Sequence, residues 1–323
     1  MSNRKFRNNE AEFFILLYDY LSRKYLKNPQ KQQVREVEVK ELKDPTGTVQ
    51  EQLNKLIGLQ DVKREIKKLT NMSLLQKKRR DAGKKVVNSS MHLVFTGNPG
   101  TGKTTVARLV GQIFKEIGIL KSGHMIEADR STLVGEYVGH TEKKVKEAVE
   151  KAKDGVLFID EAYALASQGG NDYGKLAIDT LIKLMEDNRD CLSVIVAGYT
   201  EPMQEFISSN HGLQSRFTRY ISFEDYSVDE LFDIFQSMMG NVEYKLDSNA
   251  EEKVKRVLMN HWLIRDDHFG NGRDVRTMFE RVIENQASRI VSSQVFDNMD
   301  LVEENDIPNN LVINIKSECG ERE

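Results

Sequence analysis

The chain has 323 residues, 39% of them hydrophobic and 30% charged, with five prolines. A chain this long buries roughly three quarters of the surface its unfolded form exposes; with this composition it is globular and helix-rich, of about two domains, and neither disordered nor collagen-like. Its 47 lysines and arginines against 50 aspartates and glutamates leave a net charge of −3, which supplies no global positive field for nucleic acid.

Along the chain, Glu10 to Leu26 reads as an amphipathic helix whose Phe13, Leu17, Tyr20 and Leu21 face a core or a partner. Tyr18, Asp19 and Tyr20 interrupt its apolar stretch and no small-residue cleavage site follows, so it does not read as a signal peptide. No segment reaches the roughly 18 apolar residues of a membrane span. The two cysteines, Cys191 and Cys319, read as free thiols of a cytoplasmic protein. Residues 28–47 are polar and end in Asp-Pro-Thr-Gly, a linker that closes an N-terminal extension over residues 1–48. A helical pattern then runs from Val49 to Ala82. Between Lys63 and Lys85 stand ten basic residues and two acidic ones, ordinarily a solvated helix face, with an acidic partner as the other use.

From Met91 short apolar runs alternate with helical segments. Strands are expected at His92–Thr96, Met125–Ala128, Val156–Ile159, Leu192–Ala197 and Tyr220–Phe223, apolar on both faces as buried parallel strands are. Val106, Leu109, Val110, Ile113, Phe114 and Ile117 make one helical stripe that Gly118 can end. The alternation predicts an α/β domain over residues 49–226, with a parallel sheet flanked by helices. Beyond Phe223 the strand pattern stops. Ser227 with Glu230, and Ser248 with Glu251, fit capping boxes, and Val275, Met278, Phe279, Val282 and Ile283 mark a last helix. Residues 227–296 therefore read as a small helical domain. From Asp297 onward eight acidic residues and two basic ones suggest a partly ordered tail over residues 297–323.

Gly97-Asn98-Pro99-Gly100-Thr101-Gly102-Lys103-Thr104 fits the phosphate loop, set between a strand and a helix. Glycines there let consecutive backbone N–H groups curl around phosphate oxygens at the positive end of a helix dipole. Lys103 is expected on the β- and γ-phosphates, and the Thr104 hydroxyl on Mg²⁺. Fifty-seven residues beyond Lys103, the strand Val156-Leu157-Phe158-Ile159 ends in Asp160-Glu161. At that sheet edge Asp160 suits Mg²⁺ through its water shell, and Glu161 suits polarising an attacking water, which points to hydrolysis. By itself, Asp-Glu after a strand would be read as a helix cap.

Hydrolysis also needs positive charge at the phosphates. Arg216 and Arg219, just before the last strand, fit fingers reaching a neighbouring subunit's nucleotide, with surface salt bridges as their ordinary use. Arg273 opens the final helix and fits the γ-phosphate, against pairing with Asp274 or Asp266. Leu133-Val134-Gly135-Glu136-Tyr137-Val138-Gly139-His140 sets an aromatic–aliphatic pair between glycines in a loop, suited to gripping another chain or to packing back on its own domain.

Together these stretches resemble the AAA+ ATPases, in particular the CbxX/CfqX branch that includes red-type Rubisco activases and the stage V sporulation protein K group. The resemblance spans about residues 50–295 and is carried by Gly97–Thr105, Leu133–Thr141, Gly155–Leu165, Gly198-Tyr199, Gly212–Phe217 and Gly270–Val275. Its wording at Phe95-Thr96-Gly97-Asn98 and Leu133–Tyr137 is similar to the sporulation-type group. The resemblance implies ATP and Mg²⁺ as ligands, a nucleotide-binding α/β domain and a helical lid. It also implies an adenine pocket at Leu56–Leu59, including Ile57 and Gly58, and phosphate contacts through Asn98–Thr105. Tyr137, Val138 and Gly139 become a central-pore loop, Arg216 the finger ahead of Arg219, and Arg273 a second sensor. The end of the fourth strand departs from the wider AAA+ pattern: many AAA+ proteins carry Asn where this chain has Tyr199-Thr200, which leaves Thr200 as the group to orient water. The function implied is a homo-hexameric ring that remodels a protein substrate. A nucleotide-dependent switch or scaffold is the alternative, and a DNA-acting loader is disfavoured by the near-neutral charge and the lack of an appended DNA-binding module.

Overall fold

The computed structural model describes residues 47–87, 90–135, 137, 139–166, 173–266 and 268–311. The segment Glu10–Leu26, the linker up to Thr46, Val138 and Cys319 lie outside the described residues. In chain order the elements are α1 (Gly47–Lys55), α2 (Gln60–Asp81), β1 (Leu93–Gly97), α3 (Lys103–Glu116), β2 (Met125–Ala128), the single turn α4 (Arg130–Leu133), α5 (His140–Ala152) and β3 (Gly155–Ile159). Then follow α6 (Tyr173–Asp187), β4 (Leu192–Gly198), α7 (Thr200–Ser208), α8 (His211–Arg216), β5 (Tyr220–Phe223), α9 (Val228–Asn241), β6 (Lys245–Leu246), α10 (Ser248–Leu263), α11 (Gly272–Ser293) and β7 (Leu301–Val302).

The first five strands form one parallel sheet in the order β2-β3-β4-β1-β5. β1, β3 and β4 are buried throughout, which is why their sequences are apolar on both faces, while edge strand β5 alternates exposed and buried. Leu93 and Phe95 point to one layer, with Leu53, Ile66, Val110 and Ile113 of α1–α3. Val94, Leu157 and Ile159 point to the other, with Val145, Leu181, Met203 and Leu213 of α5–α8. Each such side chain, fully buried, contributes about 1.5–3 kcal/mol. Because all five strands run the same way, the segments that follow β1, β3 and β4 emerge at one carboxyl edge, where open α/β sheets hold their ligands.

Beyond one-residue extensions of β3 and β4, four details differ from the sequence expectations. The single helix expected from Val49 to Ala82 is broken at Leu56–Leu59, because Gly58 (φ 61°) and Leu59 (φ 58°) turn the chain through the left-handed region. β1 begins one residue later than expected, since His92 spends its ring rather than its backbone on the sheet: the Val194 N–H donates to His92 Nδ1 at 3.0 Å. The cap of α10 is Asp247, not Ser248, its carboxylate accepting from Ala250 N–H at 2.6 Å; Ser227 with Glu230 does form the expected capping box. Finally, the acidic stretch after Asp297 folds back as far as Leu311. β7 pairs with β6, and Val302, Ile307 and Leu311 join Leu231, Phe235, Val254 and Met278 in the helical core. Arg289 grips Asp306, only 1% exposed, through Nε at 2.8 Å and Nη2 at 2.9 Å, a bidentate pair that cancels the buried charge.

Candidate functional site

The loop after β1 turns on three glycines with positive φ, Gly97 (143°), Gly100 (71°) and Gly102 (94°). Gly102 stands at the N-cap of α3 and no side chain caps the helix, so the first amides of α3 are left for an anion at the positive end of its dipole. The Thr101 hydroxyl, fully buried, donates to the Asn98 carbonyl at 2.8 Å and holds the loop curled. Lys103 Nζ donates to the Gly97 and Asn98 carbonyls at 2.8 and 2.9 Å. Burial pulls its pKa down, while the charges of Asp160, Glu161 and Asp225 act the other way. Pro99, Thr104 and Thr105 complete this turn, with Thr104 and Thr105 in the first turn of α3.

Asp160 and Glu161 leave β3 at the same edge. Asp160 N–H donates to Ala128 O at 3.0 Å, and Glu161 N–H donates to Asp160 Oδ1 at 3.1 Å. Burial pushes the Glu161 carboxyl up from its ordinary value, the Asp160 charge pushes it further, and Lys103 and Arg273 pull it back. Arg273, in the first turn of α11, is thus electrostatically coupled to both Lys103 and Glu161. Gly272 N–H donates to Gly100 O at 3.2 Å, which seats the start of α11 directly on the loop. A Cβ at Gly100 would run into the Gly270 carbonyl, so only glycine permits this approach.

Lys103, Asp160, Glu161 and Arg273 are therefore brought together, with Asn98–Thr105 as the cradle. Glycine turns, an uncapped helix start, an ammonium and paired carboxylates at one edge form a donor set that fits a nucleotide triphosphate with Mg²⁺. Ile57 and Gly58 lie in the α1–α2 bend, Gly58 against Tyr226 and Glu230, and Leu59 approaches Gly102. The other expected residues stand apart. Thr200 starts α7 and lines a groove with Thr96, Met203 and Ser222. Arg216, its side chain 24% exposed, faces Glu186 at 3.6 Å and Ser215 Oγ at 3.2 Å, leaves its buried Nε unpartnered, and lines a separate cavity of about 520 Å³. Arg219 turns instead to Met72 Sδ at 3.0 Å and to the Glu65 charge on α2. Tyr137 is 65% exposed and meets only the edge of His140 among described rings, their centroids 5.4 Å apart, and Gly139 caps α5 at φ 81°.

Sequence reasoning missed Asp225, Tyr226 and Asn271. Asp225 accepts from Asn98 Nδ2 at 3.0 Å and from Asn271 Nδ2 at 2.7 Å, while Tyr226 Oη donates to Thr101 O at 3.2 Å. No spacing rule links positions so far apart in the chain; the one available signal was a carboxylate pair, Glu224-Asp225, just after β5.

A family model described as the ATPase family associated with various cellular activities (AAA) matches residues 93–225, and one described as the AAA lid domain matches residues 227–314. The chain is 45% identical over 255 residues to stage V sporulation protein K of Bacillus subtilis, across 79% of each chain. It is 41% identical over 239 residues to chloroplastic ribulose bisphosphate carboxylase/oxygenase activase of Cyanidioschyzon merolae, covering 74% of this chain and 81% of that one. Among solved structures, the crystal structure of the FIGL-1 AAA domain matches with a TM-score of 0.56 at 18% identity, over 78% of this chain and 80% of that chain, a likeness of fold alone.

Proposed function

The chain belongs to the AAA ATPase family, binding and hydrolysing ATP, and from that premise we propose that it is a hexameric ring motor that remodels a protein through the loop Tyr137–Gly139. The observation that carries the reading is the meeting of Lys103, Asp160, Glu161 and Arg273 at one sheet edge, two of them tied to a lid that rests on the phosphate loop. In this reading the amides of Gly100–Thr104 and the Lys103 ammonium hold the phosphates. Thr104 and Asp160 hold Mg²⁺, which when bound offsets phosphate charge. Glu161, its carboxylate made more basic by burial and by Asp160, takes the proton of the attacking water, which Thr200 orients. Arg273 neutralises charge from the lid side, and Arg216 reaches a neighbour's nucleotide. Ile57 and Gly58 flank the base. Tyr137, exposed on a loop capped by glycine, grips substrate as lid and α/β domain rock. The reading places the chain in the cytoplasm, with a protein rather than a nucleic acid as its substrate.

The test combines two variants. Glu161→Gln should retain ATP, cut turnover by about a hundredfold or more, and sediment as a hexamer with ATP. A single subunit at high concentration would sink the ring. Tyr137→Ala should bind ATP normally yet fail to unfold a reporter polypeptide. Unchanged unfolding would reject the pore loop in favour of a nucleotide-dependent switch.

A further inference from the structure

We propose that Asp225 is a positioning residue that couples the phosphate loop to the lid, so that a shift of Asn98 on nucleotide binding is passed to Asn271 and thence to Arg273; the inference rests on the ATPase reading above. The Asp225 carboxylate is an acceptor shared by two donors from different parts of the chain. Asn98 Nδ2 reaches its Oδ1 at 3.0 Å and Oδ2 at 3.2 Å, and Asn271 Nδ2 reaches Oδ1 at 2.7 Å. Asn98 is a residue of the loop itself; Asn271 is the residue before α11.

Asn271 is fully buried, and both hydrogens and the oxygen of its amide find partners. Nδ2 donates also to Phe269 O at 3.1 Å, and Oδ1 accepts from Tyr226 N–H at 2.9 Å. Its backbone, at φ 49° and ψ −123°, is one that an L side chain rarely adopts, and these bonds are what hold it there. Gly272 follows, bonded to Gly100 O, and then Arg273. Asp225 therefore sits where a movement of the loop must change either its own bonds or the start of α11. An Asn in its place keeps one acceptor oxygen, but it removes the charge and sets an N–H donor where Oδ2 accepts from Asn98 Nδ2 at 3.2 Å, so the bond on the loop side meets donor against donor.

The chain carries its own reporter. Its single tryptophan, Trp262, donates from Nε1 to the Tyr226 carbonyl at 3.1 Å, and the Arg265 guanidinium lies 3.6 Å from its ring centre. Its emission should thus follow the joint between Asp225–Tyr226 and the lid.

The experiment titrates the full chain with a non-hydrolysable ATP analogue, following binding by calorimetry and Trp262 emission in parallel, and measures kcat and KM with ATP. For Asp225→Asn we expect analogue affinity within about threefold of the parent, loss of the Trp262 response, and a kcat lowered about tenfold. Asn98→Ala, which removes only the loop side of the tie, should reproduce the lost response if Asp225→Asn does not fold. A parental Trp262 response and kcat in Asp225→Asn would overturn the proposal, as would affinity and melting temperature falling together with kcat. A parent that binds nucleotide without splitting it would overturn the ATPase reading alone, and the Trp262 comparison would still decide the coupling.

Discussion

Glu161 occupies the left-handed region at φ 48°, where a residue with a Cβ is held at a cost of about 1–2 kcal/mol. Its carboxyl is also raised above its usual value, first by burial and then by Asp160. The sign follows from linkage: a carboxyl raised on folding favours the native state below its unfolded value of 4.5, and that advantage is lost as pH rises through the folded value. Above the folded value the parent therefore bears the penalty of an ionised Glu161, and the isosteric amide does not. Glu161→Gln should melt above the parent at pH 7, with the two curves converging below pH 4.5 in a calorimetric pH series. A variant less stable than the parent at neutral pH would show that the repulsion is not felt. The type and place of this residue were legible in the sequence, as a carboxylate after a buried strand at phosphate-loop spacing. Its strained backbone was not, because φ at a strand end is set by what packs around it.

Between strands, the start of the sheet depends on a ring. His92 accepts the Val194 N–H, joining β1 to β4, and lies 4% exposed beside Phe217. Burial first, and the nearby Arg216 second, hold it neutral down to about 4. Here the shift is downward, so His92 contributes stability above its unfolded value of 6.5 and loses it as pH falls toward about 4. Spread over that window the loss is about 3 kcal/mol. Denaturant unfolding of His92→Gln at pH 7 and pH 5 should show a smaller acid loss than the parent; equal losses would rule out this origin. Strands and helices were readable element by element, because buried parallel strands and a helical stripe each leave their own period. The break at Gly58-Leu59 escaped that reading: the apolar period continues across it, and only the packing of Gly58 against Tyr226 and Glu230 turns the chain.

For the whole molecule, the arrangement of arginines bears on assembly. Arg273 acts through its charge on Lys103 and Glu161 within one subunit, whereas Arg216 faces Glu186 and a separate cavity. If Arg216 serves a neighbour's site, Arg216→Ala and Glu161→Gln, each inactive alone, should on mixing restore roughly a quarter of parental turnover, the share of sites with both groups intact. No recovery on mixing would place the finger elsewhere. The chain of amino acids by itself determined the α/β class, the phosphate loop and the paired carboxylates, because each is written in local spacing and in the apolar pattern that burial demands. The tertiary structure alone decided that Arg273 shares a field with Glu161, that Arg219 turns to Met72 on α2, and that Asp225 ties Asn98 to Asn271. Those outcomes depend on which distant segments meet, and the contacts that set them join residues from 46 to 147 positions apart.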